Sequence, residues 1–419
     1  MYKGEVEIPP LGMVDDLLCI SECGYKTIML NSYMKVKTNS KKLQFGVDKC
    51  KKIHVGKNYE SFKCQSLSVD CWKEIEVKDE KTGFSRLEEN CIGEEKMGEK
   101  PFEKYLGDII SSDGRNIKNI KARVAKGTGI VTKIMSILDN IPFGSHYFEI
   151  AVILRNSLLC SSMLCNSESW YNITKAEMNL LETVDVMLLR KILKAPRSTP
   201  KEMLFLELGC LPYKELVQKR RLLFLQYILN EDPDSIVAKF LKTQTMNPTK
   251  KDWVTTVKKD IEDLDLNVTF EDIKVMKKSS FKNMLKQSIE KKALKDLEEK
   301  KSSHSKVSHL QHEYLRMKTY LMPTQVKMSR EEKQLIFQLR SRVTQVKMNY
   351  RKMHESLECE ICELEDETQK HVYECTKLLD MNKNIDKIPT YENIFDGNVM
   401  DQLEIAKIFK LNMEIRDFT

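Results

Sequence analysis

The sequence is poor in the two residues that break regular structure, with 15 glycines and 11 prolines among 419 residues. That scarcity excludes a collagenous, low-complexity or loop-dominated chain, each of which needs far more of both. No apolar stretch of about 18 residues runs without a charge, the minimum for a membrane-crossing helix. The best attempt, "FEIAVILRNSLLCSSMLC", is interrupted by Glu149 and Arg155, so no membrane partner is expected. Cysteine is too sparse, 12 residues scattered over the chain, for the disulfide framework of a small secreted domain. The opening "MYKGEVEIPPLG" lacks the pattern of a signal peptide. Both features predict an intracellular, reducing compartment, cytoplasmic or nuclear. Charge of one sign is not in large excess: 69 basic against 62 acidic residues leave +7. Such a balance permits a nucleic-acid partner without demanding one.

What is present is 41% hydrophobic and 31% charged, enough for a sizeable core under a highly charged surface. The fold class expected is α+β. Residues 1–114 read as strands with a helix: a hairpin over "VEIPPLGMVDDLLCI", a second around Thr82–Gly83, and a strand in "EKYLGDIISSDG". The chain opens directly on a β-element, which predicts a start inside a domain. Residues 115–235 read as helical. "NIKNIKARVAKGTGIVTKIMSIL" is a basic helix weakened by Gly127 and Gly129. Thr174 and Glu177 form a capping box ahead of an apolar face of Met178, Leu181, Val184, Leu188 and Ile192. A further helix has Thr199 as cap, Pro200 first and Gly209 as stop. Residues 236–352 alternate in charge and read as a helical linker region. Within it Arg340, Arg342, Lys347, Arg351 and Lys352 either line a phosphate backbone or make an ordinary surface.

"CEICELEDETQKHVYEC" carries Cys359, Cys362, His371 and Cys375 in the pattern C-x2-C-x8-H-x3-C. Two thiolates two residues apart grip one tetrahedral ion, and a His and Cys four apart on a helical turn close the cage. Four soft or borderline ligands leave no open position, which predicts a structural Zn2+ knuckle over residues 353–380. The metal would supply its folding energy. Residues 381–419 read as a tail with a short helix. Cys19, Cys23, Cys160 and Cys165 read as small core residues.

Asp15 and Asp16 stand side by side in an apolar run. On a hairpin turn such a pair either presents oxygen ligands to a hard cation such as Mg2+ or forms a turn with no metal.

Taken in order, "PPLGMVDDLLCI", "LQFGVDKCKKIHVG" and "EKYLGDIISSDG" resemble the last palm motifs of reverse transcriptases from non-LTR (LINE-type) retrotransposons. The Cys-Cys-His-Cys knuckle is also similar to the family's. The resemblance implies that residues 1–114 are the C-terminal part of a palm and 115–235 a thumb. It implies that Asp15 and Asp16 bind Mg2+, with Met13–Val14 departing from the family's usual aromatic and alanine. Lys49 or Lys52 would assist pyrophosphate departure, and Tyr105, Leu106 and Gly107 would form the primer grip. Lys118, Lys121, Arg123, Lys126, Arg220 and Arg221 would hold template–primer by its phosphates. The implied partners are an RNA template, RNA–DNA hybrid, and the missing N-terminal palm, fingers and endonuclease of the same polyprotein. The family's third catalytic aspartate has no counterpart, because none of the fourteen residues before Asp15 is Asp. The expected function is a fragment of an RNA-directed DNA polymerase that does not polymerise alone. The alternative is a non-catalytic nucleic-acid-binding relic.

Overall fold

The structure is a computed structural model. It describes residues 101–141, 146–323, 326–381 and 388–418, and before residue 101 the strands named below with residues 20, 40–42 and 53. The described part is α+β and mostly helical. Contacts divide the chain into two compact units: Met1–Ala122 with Glu231–Val254, and Arg123–Asn230 with Thr255–Thr419.

The first unit carries the strands, all in two-stranded pairs. β1 (Leu11–Met13) and β2 (Asp16–Leu18) form an antiparallel hairpin with Met13 opposite Asp16, as the sequence predicts. Asp15 itself lies outside the described residues. β3 (Lys51–Lys52) lies parallel to β8 (Gly98–Glu99). The second expected hairpin is β4 (Ile75–Asp79) with β5 (Gly83–Leu87), and β6 (Cys91–Ile92) pairs with β7 (Glu95–Lys96). "EKYLGDIISSDG" does not form the single strand expected. It folds back as β9 (Phe102–Tyr105) against β10 (Asp108–Ser111). Leu106 and Gly107 both take positive φ, 46° and 92°, the signature of a tight two-residue hairpin turn. Asn119, in the first turns of helix α1 (Ile117–Asp139), donates to Asp108 Oδ1 at 2.7 Å and so pins the hairpin.

The second unit is helical. α1 runs through both glycines without a break. A Cβ on Gly127 would lie 2.5 Å from Met163 Sδ and 3.0 Å from a Val184 methyl, whereas Gly129 faces open space. Gly127 therefore permits close approach of other elements, and Gly129 only loosens the helix. α2 (Tyr147–Leu154) widens into a π-turn at Arg155–Cys160. α3 (Lys175–Leu193) starts at the expected capping box, with Thr174 N–H donating to Glu177 at 2.8 Å and Glu177 N–H to Thr174 at 3.2 Å. Buried Arg155 clasps buried Asp185 of α3 at 2.7 and 2.5 Å and donates to the Leu211 carbonyl. Cys160 and Cys210 are buried, and burial pushes their thiols to about 12 and about 11. Cys165 is exposed, so it is not the core residue expected. Cys19 and Cys23 lie outside the described residues.

α4 (Lys201–Leu208) begins one residue later than expected, with Pro200 at the cap, and is buried on every side from Glu202 to Leu208. It stops at Gly209, whose φ of 64° and close approach to the Arg316–Met317 backbone leave no room for a Cβ. α5 (Tyr213–Leu229) belongs to this unit, α6 (Ile236–Met246) to the first, and α7 (Trp253–Asp263) and α8 (Phe270–Val275) follow. α9 (Lys278–Ser302) packs on α4 and α5. The segment read as a linker thus carries core helices of the second unit. α10 (Arg330–Arg340) packs on α13 (Asn393–Asp396) and α14 (Val399–Phe418), and α11 (Gln369–Glu374) and α12 (Thr376–Met381) pack on α14 in a C-terminal subassembly. α14 has 20 residues, where the sequence suggested only a short helix in a tail.

Two stability outcomes follow. Gly129→Ala removes the backbone entropy of an exposed mid-helix glycine and should gain about 0.5–1 kcal/mol. Gly209→Ala forces a Cβ into backbone at a positive φ and should lose about 2 kcal/mol or more. Denaturant melts of the pair check this, and equal effects of one sign would contradict the geometry. Second, Glu215 in the first turn of α5 is buried, with Oε2 unpartnered. Burial raises its carboxyl to about 7 from the ordinary 4.5, against the pull of the helix backbone, Lys214 and Lys300. As pH rises the unfolded chain loses this proton first, so stability drains between about pH 4.5 and 7 and levels above. Glu215→Gln should abolish that loss, leaving the variant about 3 kcal/mol more stable at pH 8 and little changed at pH 4. Melts at the two pH values decide it.

Candidate metal centre and its surroundings

The knuckle starts from a tight loop. Glu363 N–H donates to the Cys359 carbonyl at 2.9 Å and Cys359 N–H to the Glu365 carbonyl at 2.8 Å, with Glu363 itself at φ 58°. This fold-back brings the Leu364 and Glu365 amides onto the Cys362 sulfur. Burial, which raises that thiol, is overcome by these amides, and the thiol falls to about 7. The second half is α11. Thr368 caps it by accepting from His371 N–H at 3.0 Å, which places His371 in its first turn and Cys375 just past its end. There burial raises the Cys375 thiol to about 11, against the Leu378 amide.

The four donor atoms of Cys359, Cys362, His371 and Cys375 all lie within 4.8 Å of one another. The edge of a tetrahedron around Zn2+ with thiolates is about 3.8 Å, so one ion fits among them. His371 Nε2 points inward, 3.3 Å from Cys362 Sγ, while Nδ1 is held by Glu365 Oε2 at 3.2 Å. A carboxylate behind the ligating imidazole fixes its tautomer and ring orientation, as at metal-bound histidines generally. Three cysteines are buried and the histidine half-buried, so the donor set would enclose an ion and offer it no open position. These residues could hold a metal ion, and their chemistry is compatible with structural zinc.

The knuckle is not a free-standing module. Buried Glu367 accepts from Lys347 N–H at 3.0 Å and from Arg416 of α14 at 2.7 Å. Gln369 accepts from Thr344 N–H at 3.2 Å and from Asn349 at 3.3 Å, and donates to the Leu339 carbonyl at 3.0 Å. Residues 344–349 are therefore strung along the metal-binding segment.

The remaining expected site residues are placed as follows. Asp15 and Lys49 lie outside the described residues. Asp16 sits in β2, and Lys52 in β3 opposite Glu99. Among the described residues no carboxylate cluster that would hold Mg2+ is formed. Tyr105, Leu106 and Gly107 make the β9–β10 turn, with Leu106 exposed. Lys118 lies 4.4 Å from the Phe102 ring, and Lys121 and Lys126 are exposed. Three arginines expected on phosphate are structural instead. Arg123 is buried on the Ser162 and Met163 carbonyls and against Trp170. Arg220 donates to the Leu164 carbonyl, and buried Arg221 pairs with Asp260 at 2.5 Å. Arg123 and Arg221 are buried with these intramolecular partners, whereas Arg220 is half-buried. Arg340 is buried on Glu207, and Lys347 pairs with Glu360 at 2.8 Å. Arg351 and Lys352 are exposed, and Arg342 is half-buried.

Sequence reasoning missed the groups that hold these elements together. Glu207 at the end of α4 accepts from His312 at 3.1 Å, Tyr320 at 2.7 Å and Arg340 at 3.1 Å, all buried. Burial would raise its carboxyl, but Arg340 and His312 hold it well below the usual carboxylate range. The one available signal was an acid inside the apolar run "EMLFLELG".

The chain matches no protein-family model, no curated protein and no solved structure. The site stands on its own residues.

Cys362→Ser should cut bound zinc from about one equivalent to well below half, because one thiolate of a closed four-ligand site is lost. Metal analysis after exhaustive dialysis reads this. Far-UV circular dichroism should retain most of the helix signal, since α3, α4, α5 and α9 pack without the knuckle. A parent protein that carries no zinc at all removes the assignment.

Proposed function

We propose that this chain is the C-terminal part of a reverse transcriptase of the non-LTR retrotransposon type, and that it binds RNA or RNA–DNA hybrid without polymerising DNA by itself. The observation that carries the reading is the convergence of Cys359, Cys362, His371 and Cys375. They follow, along one chain, a hairpin whose second strand opens at Asp16, a Tyr105–Leu106–Gly107 hairpin and a helical region. That order is the one the resemblance implies. In this reading Zn2+ occupies the four-ligand site and supports folding. Asp15 and Asp16 would receive Mg2+ only together with a third carboxylate, because a two-metal nucleotidyl transfer needs ligands on both ions. The sequence has no aspartate upstream of Asp15. The partners are the RNA template, the hybrid, and the palm and fingers of the same polyprotein. The setting is a reducing intracellular compartment, where the knuckle thiols stay available to metal.

The test combines primer extension and binding. With Mg2+, an RNA template and an annealed primer, the chain should incorporate no nucleotide, and it should bind RNA with an affinity that falls steeply as salt rises. Incorporation that disappears in Asp15→Ala would instead make the chain a polymerase in its own right. Failure to bind RNA even at low salt would falsify the nucleic-acid reading altogether.

A further inference from the structure

The knuckle's own tip is a poor surface for phosphate. Glu358, Glu360, Glu363, Glu365 and Asp366 are all exposed there, and a polyanion would meet repulsion at close range. The loops strung along the knuckle carry the opposite charge. Residues 344–349 are fixed by Glu367 and Gln369 as described, and they run between Arg342 and Arg351. Lys306, from the segment after α9, donates to Asn349 Oδ1 at 3.1 Å, and Asn349 in turn donates to the Thr344 carbonyl at 2.8 Å. A lysine from one segment is thereby fastened to the loop that carries two arginines.

Arg351 lies close enough to Lys306 for its charge to act on it, and Arg342 acts in the same way on His309, three residues after Lys306. Among the described residues Lys306, Arg342 and Arg351 make no ion pair with a carboxylate. Burial and then the charge of Arg351 lower the Lys306 ammonium. Burial, followed by Arg342, Lys301 and Arg340, depresses the neighbouring His309 imidazole to about 4, with Asp396 pulling the other way. Arg342 sits just past the end of α10 at φ 51°, a left-handed position where glycine costs least. The negative end of the helix dipole offsets part of that cost, and Arg342 also lies 5.5 Å from the Phe395 ring. The fold thus accepts the repulsion of Lys306 by Arg351 and a left-handed backbone at Arg342 to hold an exposed Arg351 and half-buried Lys306 and Arg342 on the ordered loops beside the knuckle. Such an arrangement gains when an anion arrives.

We propose that Lys306, Arg342 and Arg351 form a phosphate-contacting surface that binds the backbone of RNA or RNA–DNA hybrid, with the metal knuckle as the frame that orders it. This deepens the nucleic-acid reading above and rests on it. It moves the expected contact from the knuckle and from Arg123, Arg220 and Arg221 to the loops beside the knuckle.

The test uses the full chain and a fluorescein-labelled single-stranded RNA, with affinity measured by anisotropy between about 50 and 200 mM KCl. Each phosphate contact removed flattens the slope of log K against log salt by about 0.7. The triple variant Lys306→Gln, Arg342→Gln, Arg351→Gln should flatten it by about 2 and weaken binding at least tenfold at about 100 mM salt. The control Lys295→Gln removes one exposed lysine of α9 that pairs with Glu299, and should leave the slope within error. Helix signal and bound zinc should be unchanged in all variants. In case the triple variant misfolds, Arg351→Gln alone, at an exposed position, should flatten the slope by about 0.7. A wild type that binds with a steep slope, joined by variants of unchanged slope, overturns this surface while leaving the nucleic-acid reading intact. A wild type that does not bind RNA at low salt removes both.

Discussion

The second unit depends on one buried carboxylate. Glu207 closes a helix that is buried on all sides, so its charge has no route to water. Leaving it unpaired would cost several kcal/mol. Its partners come from three places: His312 and Tyr320 from the segment after α9, and Arg340 from the end of α10. His312 also reaches Glu298 of α9 at 2.8 Å, and Arg340 donates to the Ile394 carbonyl at 3.0 Å. One charge therefore fixes the relative positions of α4, α9, α10 and α13. A packed apolar cluster would stabilise as well or better, but it would not dictate which segment sits where. The chain instead spends apolar burial elsewhere and uses Glu207 for registry.

The metal centre plays the corresponding part at the C-terminal end. The loop of residues 359–365 is too short to bury a core, so its stability comes from what it leans on and from any ion that the four ligands would hold. It leans through Glu367 and Gln369, which accept hydrogen bonds from α14 and from residues 344–349. Arg340 ends α10 and Arg342 follows two residues later, so the Glu207 network and the knuckle anchor opposite ends of the same loop. A segment pinned at both ends holds its cations in fixed positions, and the entropy of ordering them is not charged to the binding step.

Local signals survived intact from sequence to structure. The Thr174–Glu177 box, the Gly209 stop, the pairing of Leu11–Met13 with Asp16–Leu18 and the convergence of the Cys and His ligands need only residues within a few turns of one another. The signals that failed were those whose meaning depends on a distant partner. Arg123 and Arg221 look like surface cations in a basic helix until Met163 and Asp260, about forty residues away in sequence, take them up. Arg340 belongs to a basic run by composition and to Glu207 by geometry. Gly127 and Gly129 are equivalent as letters, and only the neighbouring Met163 and Val184 side chains distinguish them. Leu106–Gly107 shows a different failure. Positive φ at two successive residues turned an apparent strand into a hairpin, and the leucine at the first position hid the turn.

That pattern bears on how charge should be read in such a chain. Counting lysines and arginines along "EEKQLIFQLRSRVTQVKMNYRK" gives a uniformly basic stretch. The structure divides it. Arg340 and Lys347 neutralise carboxylates of the body and the knuckle, and their charges are cancelled within the molecule. Arg342, between them in sequence, and Arg351, after them, have no such carboxylate partner among the described residues, and Lys306 joins from another segment. An internally paired cation adds little to the field seen by a ligand, because its own carboxylate screens it at contact distance. The cations left over are the ones that release counterions when a polyanion binds. The acidic tip of the knuckle sharpens the contrast. Opposite charge on neighbouring loops would leave a polyanion one favoured side of approach, with its orientation set by the field.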